Sequence, residues 1–88
     1  MPALSVFYGI IITMYPEMSG KHHLPHFHAE YQNHEVVMTF DGEILEGNLP
    51  KSKLKLVAAW AEIHKDDLAA NWKLLSEGNK TFRIDPLR

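Results

Sequence analysis

The sequence predicts a small α+β domain: a mostly antiparallel β-sheet in the order β-βββ-α-β, with one long or bent helix packed on one face. Three observations predict it. Runs rich in β-branched, aromatic and aliphatic residues fill the first half of the chain and are separated by Pro, Gly, Asn and Asp. Apolar residues return at helical spacing through the second half. The chain has 88 residues, 45% hydrophobic and 23% charged, which suits a single domain over residues 1–88 with one core.

Ser5 to Tyr15 contains β-branched, aromatic and aliphatic residues with one Gly, and predicts one central strand with protein on both faces. Pro16 to Pro25 predicts the longest loop, since Pro16 lacks a ladder donor and Ser19-Gly20 is a turn signal. His26 to Tyr31 and Glu35 to Phe40 predict two strands joined around Gln32-Asn33. Asp41-Gly42 before Glu43-Ile44-Leu45 predicts a two-residue hairpin, completing a β-meander.

Gly47-Asn48-Leu49-Pro50 ends the sheet and opens a helix, with Asn48 as cap and Pro50 in the first turn. Leu54, Val57, Ala61, Leu68, Trp72 and Leu75 then form one apolar stripe. Lys51 to Glu77 is either one rod or a helix bent near His64-Lys65-Asp66-Asp67, and Gly78-Asn79 stops it. Thr81 to Ile84 predicts a last short strand before Asp85-Pro86. The helix covers one sheet face. On the first strand Val6, Tyr8, Ile10, Ile12 and Met14 oppose Phe7, Ile11 and Tyr15, so both faces are apolar, and a homodimer or a partner protein is expected to cover the second.

Composition removes several classes of function. With no Cys the chain has neither disulfides nor thiolate ligands, which fits a reducing compartment, the cytoplasm by default. No run approaches the roughly 20 apolar residues of a membrane span. Met1-Pro2-Ala3 lacks the basic start of a secretory signal. A formal charge of -2 gives no general attraction to nucleic acid or anionic membrane. Lys51, Lys53 and Lys55 lie close in sequence to Glu43 and Glu46 and read as a solvated face, which supports nucleic-acid binding only weakly. Neither a glycine-rich phosphate loop nor a Gly-x-Ser-x-Gly elbow is present. Trp60 and Trp72 fall on or beside the apolar stripe and read as core.

The compositional oddity is six His, five of them between residues 22 and 34. A period of two places His26, His28 and Glu30 on one strand face and Phe27, Ala29 and Tyr31 on the other. Three readings follow for the polar face. The side chains are half-exposed strand residues bonded across the sheet; or His26 and His28 are ligands of a divalent metal; or His26, His28 and Glu30 do acid–base catalysis. Same-face neighbours lie roughly 6.5 to 7 Å apart, so sharing an ion requires converging rotamers. His22 and His23 sit in the preceding loop, where they are either solvated or swing over the same strand. His22, Lys21 and Tyr31 are the candidate binding residues beside it. His34, in a turn, and His64, on the helix, receive no role. The residues fix no cofactor, and they leave room for a divalent metal.

These residues resemble the bacterial domain-of-unknown-function family 4160 over nearly the whole chain. The resemblance rests on Met1-Pro2, Phe7-Tyr8-Gly9-Ile10 and Met14-Tyr15, the block Pro25-His26-Phe27-His28-Ala29-Glu30-Tyr31, the segment Gly42 to Pro50, and Trp60, His64 and Asn71-Trp72. It implies a small prokaryotic or phage protein, often encoded beside a second small protein and sometimes assigned to a toxin-antitoxin module, with no established activity. Where the family reads Asp-His-x-Pro before the histidine block, this chain has Lys21-His22-His23-Leu24, which reverses a charge next to the candidate site.

Two function classes remain. The first is an interaction module that packs an apolar sheet face or helix on a partner protein, the neighbouring gene product, as in toxin neutralisation. The second is a small hydrolase, a ribonuclease-type toxin, with His26 and His28 as acid–base pair or metal ligands and a Lys steadying phosphate.

Overall fold

The structure, a computed structural model, describes residues 3–15 and 24–88. Among the described residues five strands run β1 (Ser5–Phe7), β2 (Ile10–Thr13), β3 (His26–Tyr31), β4 (His34–Thr39) and β5 (Ile44–Asn48), followed by α1 (Lys51–Ile63) and α2 (Lys65–Ser76). The strands form one antiparallel sheet in chain order, β1-β2-β3-β4-β5. The fold is α+β with an antiparallel sheet, as the hydrophobic periodicities predict. Among the described residues no helix is long and apolar enough to cross a membrane.

The predicted single strand over Ser5 to Tyr15 is instead a hairpin. Tyr8 (φ 50°) and Gly9 (φ 77°) both adopt left-handed backbone, the combination a two-residue I′ turn requires. The reversal changes which residues share a face. Phe7 pairs with Ile10 and Ser5 with Ile12, so Phe7, Ile10 and Ile12 share the core face, where Leu4 and Met14 from either end of the hairpin join them, while Val6 and Ile11 pair on the opposite face. β1 is consequently an edge strand and β2 an interior one.

The β4–β5 connection is also longer than predicted. Gly42 N–H donates to the Thr39 carbonyl (3.0 Å) and Thr39 N–H to the Glu43 carbonyl (2.8 Å), enclosing the three residues Phe40, Asp41 and Gly42. Thr39 Oγ1 also accepts from Glu43 N–H at 3.0 Å. Beyond a register shift at Val37/Met38, β5 continues to Asn48. Gly47 (φ 76°) lies against β4 so closely that a Cβ there would run into the Glu35 carbonyl oxygen. Asn48 therefore belongs to the sheet and does not cap α1; its Oδ1 accepts from Leu49 N–H at 2.9 Å. Pro50 is the N-cap position itself, and its carbonyl accepts from Lys53 and Leu54 N–H.

The helical stretch is two helices that break at His64 (φ -109°, ψ 26°). Asp66 and Asp67 occupy the first turn of α2, where carboxylates favour the positive end of the helix dipole. The predicted stop holds: Gly78 N–H donates to the Leu75 carbonyl and Asn79 N–H to that of Leu74, the paired bonds of a Schellman end.

The core lies between the helices and the sheet. Trp60 of α1 is fully buried, with its ring 5.5 Å from Phe7 and 5.8 Å from Phe27. Val57, Ala61 and Leu68 join it, and Leu54, Trp72 and Leu75 pack at the margin. The row Ile12, Ala29, Val36 runs beneath them across three paired strands.

Thr81 to Ile84 does not form the predicted final strand. Its backbone is held by side chains: Asn71 Oδ1 accepts from Phe82 N–H at 2.7 Å, and Trp60 Nε1 donates to the Asp85 carbonyl at 2.9 Å. Among the described residues only Ile84 N–H reaches a strand-side partner, the Leu4 carbonyl at 2.8 Å. Residues 79–88 thus form an irregular strap that fastens the edge by β1 to both helices.

Candidate functional site

Strand alternation and the register of β3 build the site. With Phe27 and Ala29 in the core, His26, His28 and Glu30 face away from α1, as predicted. Their cross-strand partners are Thr39, Val37 and Glu35. The expectation of half-exposed imidazoles fails, because His26 is 1% and His28 6% exposed.

Each ring is buried against aromatic and polar neighbours. Tyr15, just beyond β2, stacks on His28 with ring centroids 4.3 Å apart and 24° between planes. Its hydroxyl lies 3.1 Å from His28 Nδ1, and Glu35 Oε2 lies 3.7 Å from the same nitrogen. His26 donates from Nδ1–H to the Leu24 carbonyl at 2.7 Å. It also packs on Trp72 of α2 at 5.2 Å and on His28 at 5.6 Å.

These contacts have chemical consequences. Donation from Nδ1 places the lone pair of a neutral His26 on Nε2, the arrangement that suits a proton acceptor or a metal ligand. On His28, a neutral Nδ1 accepts the Tyr15 hydroxyl proton; a protonated Nδ1 donates to the hydroxyl oxygen and lies beside the Glu35 carboxylate.

The other predicted site residues are spread more widely. Glu30 shares the histidine face but is exposed and pairs directly with Glu35, and the carboxylate that approaches His28 is Glu35. Tyr31 lies on the opposite face, half-buried against the core, with Lys53 Nζ 5.0 Å over its ring. Lys21, His22 and His23 lie outside the described residues. Among the described residues no group of three or more His, Asp or Glu is placed to hold a metal ion. His64 packs on Trp60 at 5.6 Å with Asp67 Oδ2 3.7 Å from its Nδ1, while His34 is exposed at the start of β4.

The same face opens at its other end. One row crosses the sheet through successive pairings: Val6, Ile11, Glu30, Glu35, Asn48. All five are exposed, Val6 at 47% and Ile11 at 42%, and Tyr8 at the adjoining turn is 56% exposed. Charge is segregated along the chain. Residues 24–50 hold Glu30, Glu35, Asp41, Glu43 and Glu46 and neither Lys nor Arg. Lys65 of α2 pairs with Asp41, whose hydrogen bond and negative charge raise the Lys65 pKa above its ordinary 10.5.

Against this geometry, residues 9–73 match the family model described as a domain of unknown function, DUF4160. The chain belongs to the DUF4160 family. No curated protein and no solved structure matches it. The DUF4160 segment begins at the Tyr8-Gly9 turn and ends in α2, so it includes His26, His28, Glu35 and Trp72. It leaves β1 and the strap at residues 79–88 outside.

Proposed function

We propose that this DUF4160 protein is a small interaction module of prokaryotic or phage origin that acts by binding a partner protein, as one component of a toxin-antitoxin-like system. The observation that carries the reading is the Val6–Ile11 pair with Tyr8: three large apolar side chains exposed together on an edge hairpin, in a chain whose single core has little stability to spare. The family resemblance supplies the expected partner, the product of the neighbouring gene. The test is co-expression with that product followed by affinity capture and sedimentation. A stoichiometric complex is expected. A monodisperse monomer that retains no neighbouring product at micromolar concentration overturns the reading.

A second reading, a ribonuclease-type hydrolase, is favoured by the Nδ1–H bond of His26 to Leu24, which prepares Nε2 as a base beside a second imidazole. The burial of both rings and the carboxylates of the sheet weigh against an anionic substrate there. Replacing His26 and His28 by Asn is the test: RNA cleavage or toxicity that is present in the parent and lost in the variant supports hydrolysis, and unchanged activity ends it.

A further inference from the structure

The row Val6–Ile11–Glu30–Glu35 sets an apolar half beside an acidic half at the open end of one sheet face. Glu30 and Glu35 stand directly opposite each other, a pairing of like charges that costs a sheet stability. Among the described residues Glu30 has no ion-pair partner, and no Lys or Arg occurs on any strand to offset the pair. From the strand spacing of about 4.8 Å, the four residues span roughly 14 Å. An α-helix about 10–12 Å across covers that width, with long cationic side chains reaching the further strands.

We propose that the outer face of β1–β4 docks a cationic amphipathic segment of a protein partner: its apolar stripe covers Val6, Tyr8 and Ile11, and its Lys or Arg side chains meet Glu30 and Glu35. The inference rests on the partner-binding reading and adds the chemistry of the occupant. Charge complementarity selects it. Anionic membrane and nucleic acid are repelled by the carboxylates. A second copy related by a two-fold axis brings both copies' Glu30 and Glu35 into one interface, with no cation from either sheet between them.

The probe is an amphipathic Leu/Lys helical peptide of about 18 residues, five turns of helix, with a Leu/Glu peptide and a Lys/Ser peptide of equal length as controls. Binding is read by fluorescence anisotropy against the full chain at low and high salt. The Leu/Lys peptide alone is expected to bind, with Kd rising about three- to tenfold in Glu30→Gln/Glu35→Gln and further with salt. Ile11→Ser weakens it independently. Glu30→Gln alone, at an exposed position, guards against loss of fold in the double variant, and thermal melts check both. Equal binding of the Leu/Glu peptide, insensitivity to Glu30→Gln/Glu35→Gln in a folded variant, or tighter binding of RNA overturns the inference, as does concentration-dependent dimerisation lost in Ile11→Ser. The neighbouring gene product separates the two claims. If Ile11→Ser abolishes its capture while the Gln variants and salt leave it unchanged, the interaction reading stands and the cationic occupant falls. If neither that product nor any peptide binds, both fall.

Discussion

The Tyr15 ring lies flat over His28, and its hydroxyl stands 3.1 Å from Nδ1. A stack and a hydrogen bond thus act on one buried imidazole from one side chain. Tyr15→Phe keeps the stack and removes the bond. It should cost about 0.5–1.5 kcal/mol in urea unfolding, the usual net worth of a neutral hydrogen bond. A loss below the error of the urea titration would mean that the hydroxyl does not engage the ring.

His26 is held more firmly, by a 2.7 Å bond to the Leu24 carbonyl and by Trp72. His26→Ala leaves that carbonyl without its donor and opens a cavity beneath α2. A cost of about 2–4 kcal/mol is expected. Exposed Glu30→Gln, on the same strand face, should stay within about 0.5 kcal/mol of the parent. The contrast, read by thermal melts, tests whether the two positions differ as their burial requires.

Ser5 points into the core opposite Ile12, and among the described residues its Oγ finds no hydrogen-bond partner. Removing an unsatisfied buried hydroxyl lifts a desolvation penalty. Ser5→Ala is therefore expected to leave stability unchanged or raise it by up to about 1 kcal/mol. A clear destabilisation would reveal a partner for the hydroxyl.

Trp60 carries the strap through its bond to the Asp85 carbonyl. Trp60→Phe retains most of the ring in the core but frees that carbonyl. About 1–3 kcal/mol should be lost, together with earlier proteolytic cleavage between residues 79 and 88. Asn71→Leu, which removes the acceptor for Phe82 N–H, should expose the same segment to protease. Cleavage confined to other regions would contradict the strap's dependence on these side chains.

Lys65 is exposed and its pKa is raised, first by the hydrogen bond to Asp41 and then by that residue's charge. The folded state thus holds the proton more tightly than the unfolded chain. The contribution is complete below the ordinary value of 10.5 and is lost as pH climbs through the raised one. Parent and Asp41→Asn should differ slightly at neutral pH and converge in strong base. A difference that grows with pH would reverse the assignment.

Much of this architecture is legible in residue order, because periodicity reports which side chains face a core. His26, His28 and Glu30 share a face as alternation requires, and the apolar stripe from Leu54 to Leu75 lies on helix either side of the break at His64. The failures have local causes. Tyr8-Gly9 turns the chain within an apolar run, and an aromatic at the first left-handed position gives none of the Asn or Asp signal that marks such turns. Thr81 to Ile84 has strand-like composition, yet Asn71 takes the Phe82 N–H that a ladder would need and Trp60 binds the Asp85 carbonyl just beyond, and nothing near residue 81 announces that.

The site was legible in its histidines and not in its carboxylate. Glu35 reaches His28 diagonally from the neighbouring strand, a relationship set by register that no spacing within His26–Tyr31 contains. Burial was missed for the same reason: Trp72 closes over His26 from a helix far along the chain. The absence of Lys and Arg from residues 24–50 was available as a signal in the sequence itself.

The serial order of the sheet bears on how the molecule assembles. Every strand pairs with its neighbour in the chain, so hairpins can zip in succession at small entropic cost, as in topologies of low contact order. The bond between Ile84 and Leu4 is of another kind, joining residues from nearly opposite ends of the sequence. Closing so long a stretch of chain costs more loop entropy than any hairpin does, so weakening this bond is expected to speed unfolding more than it slows folding.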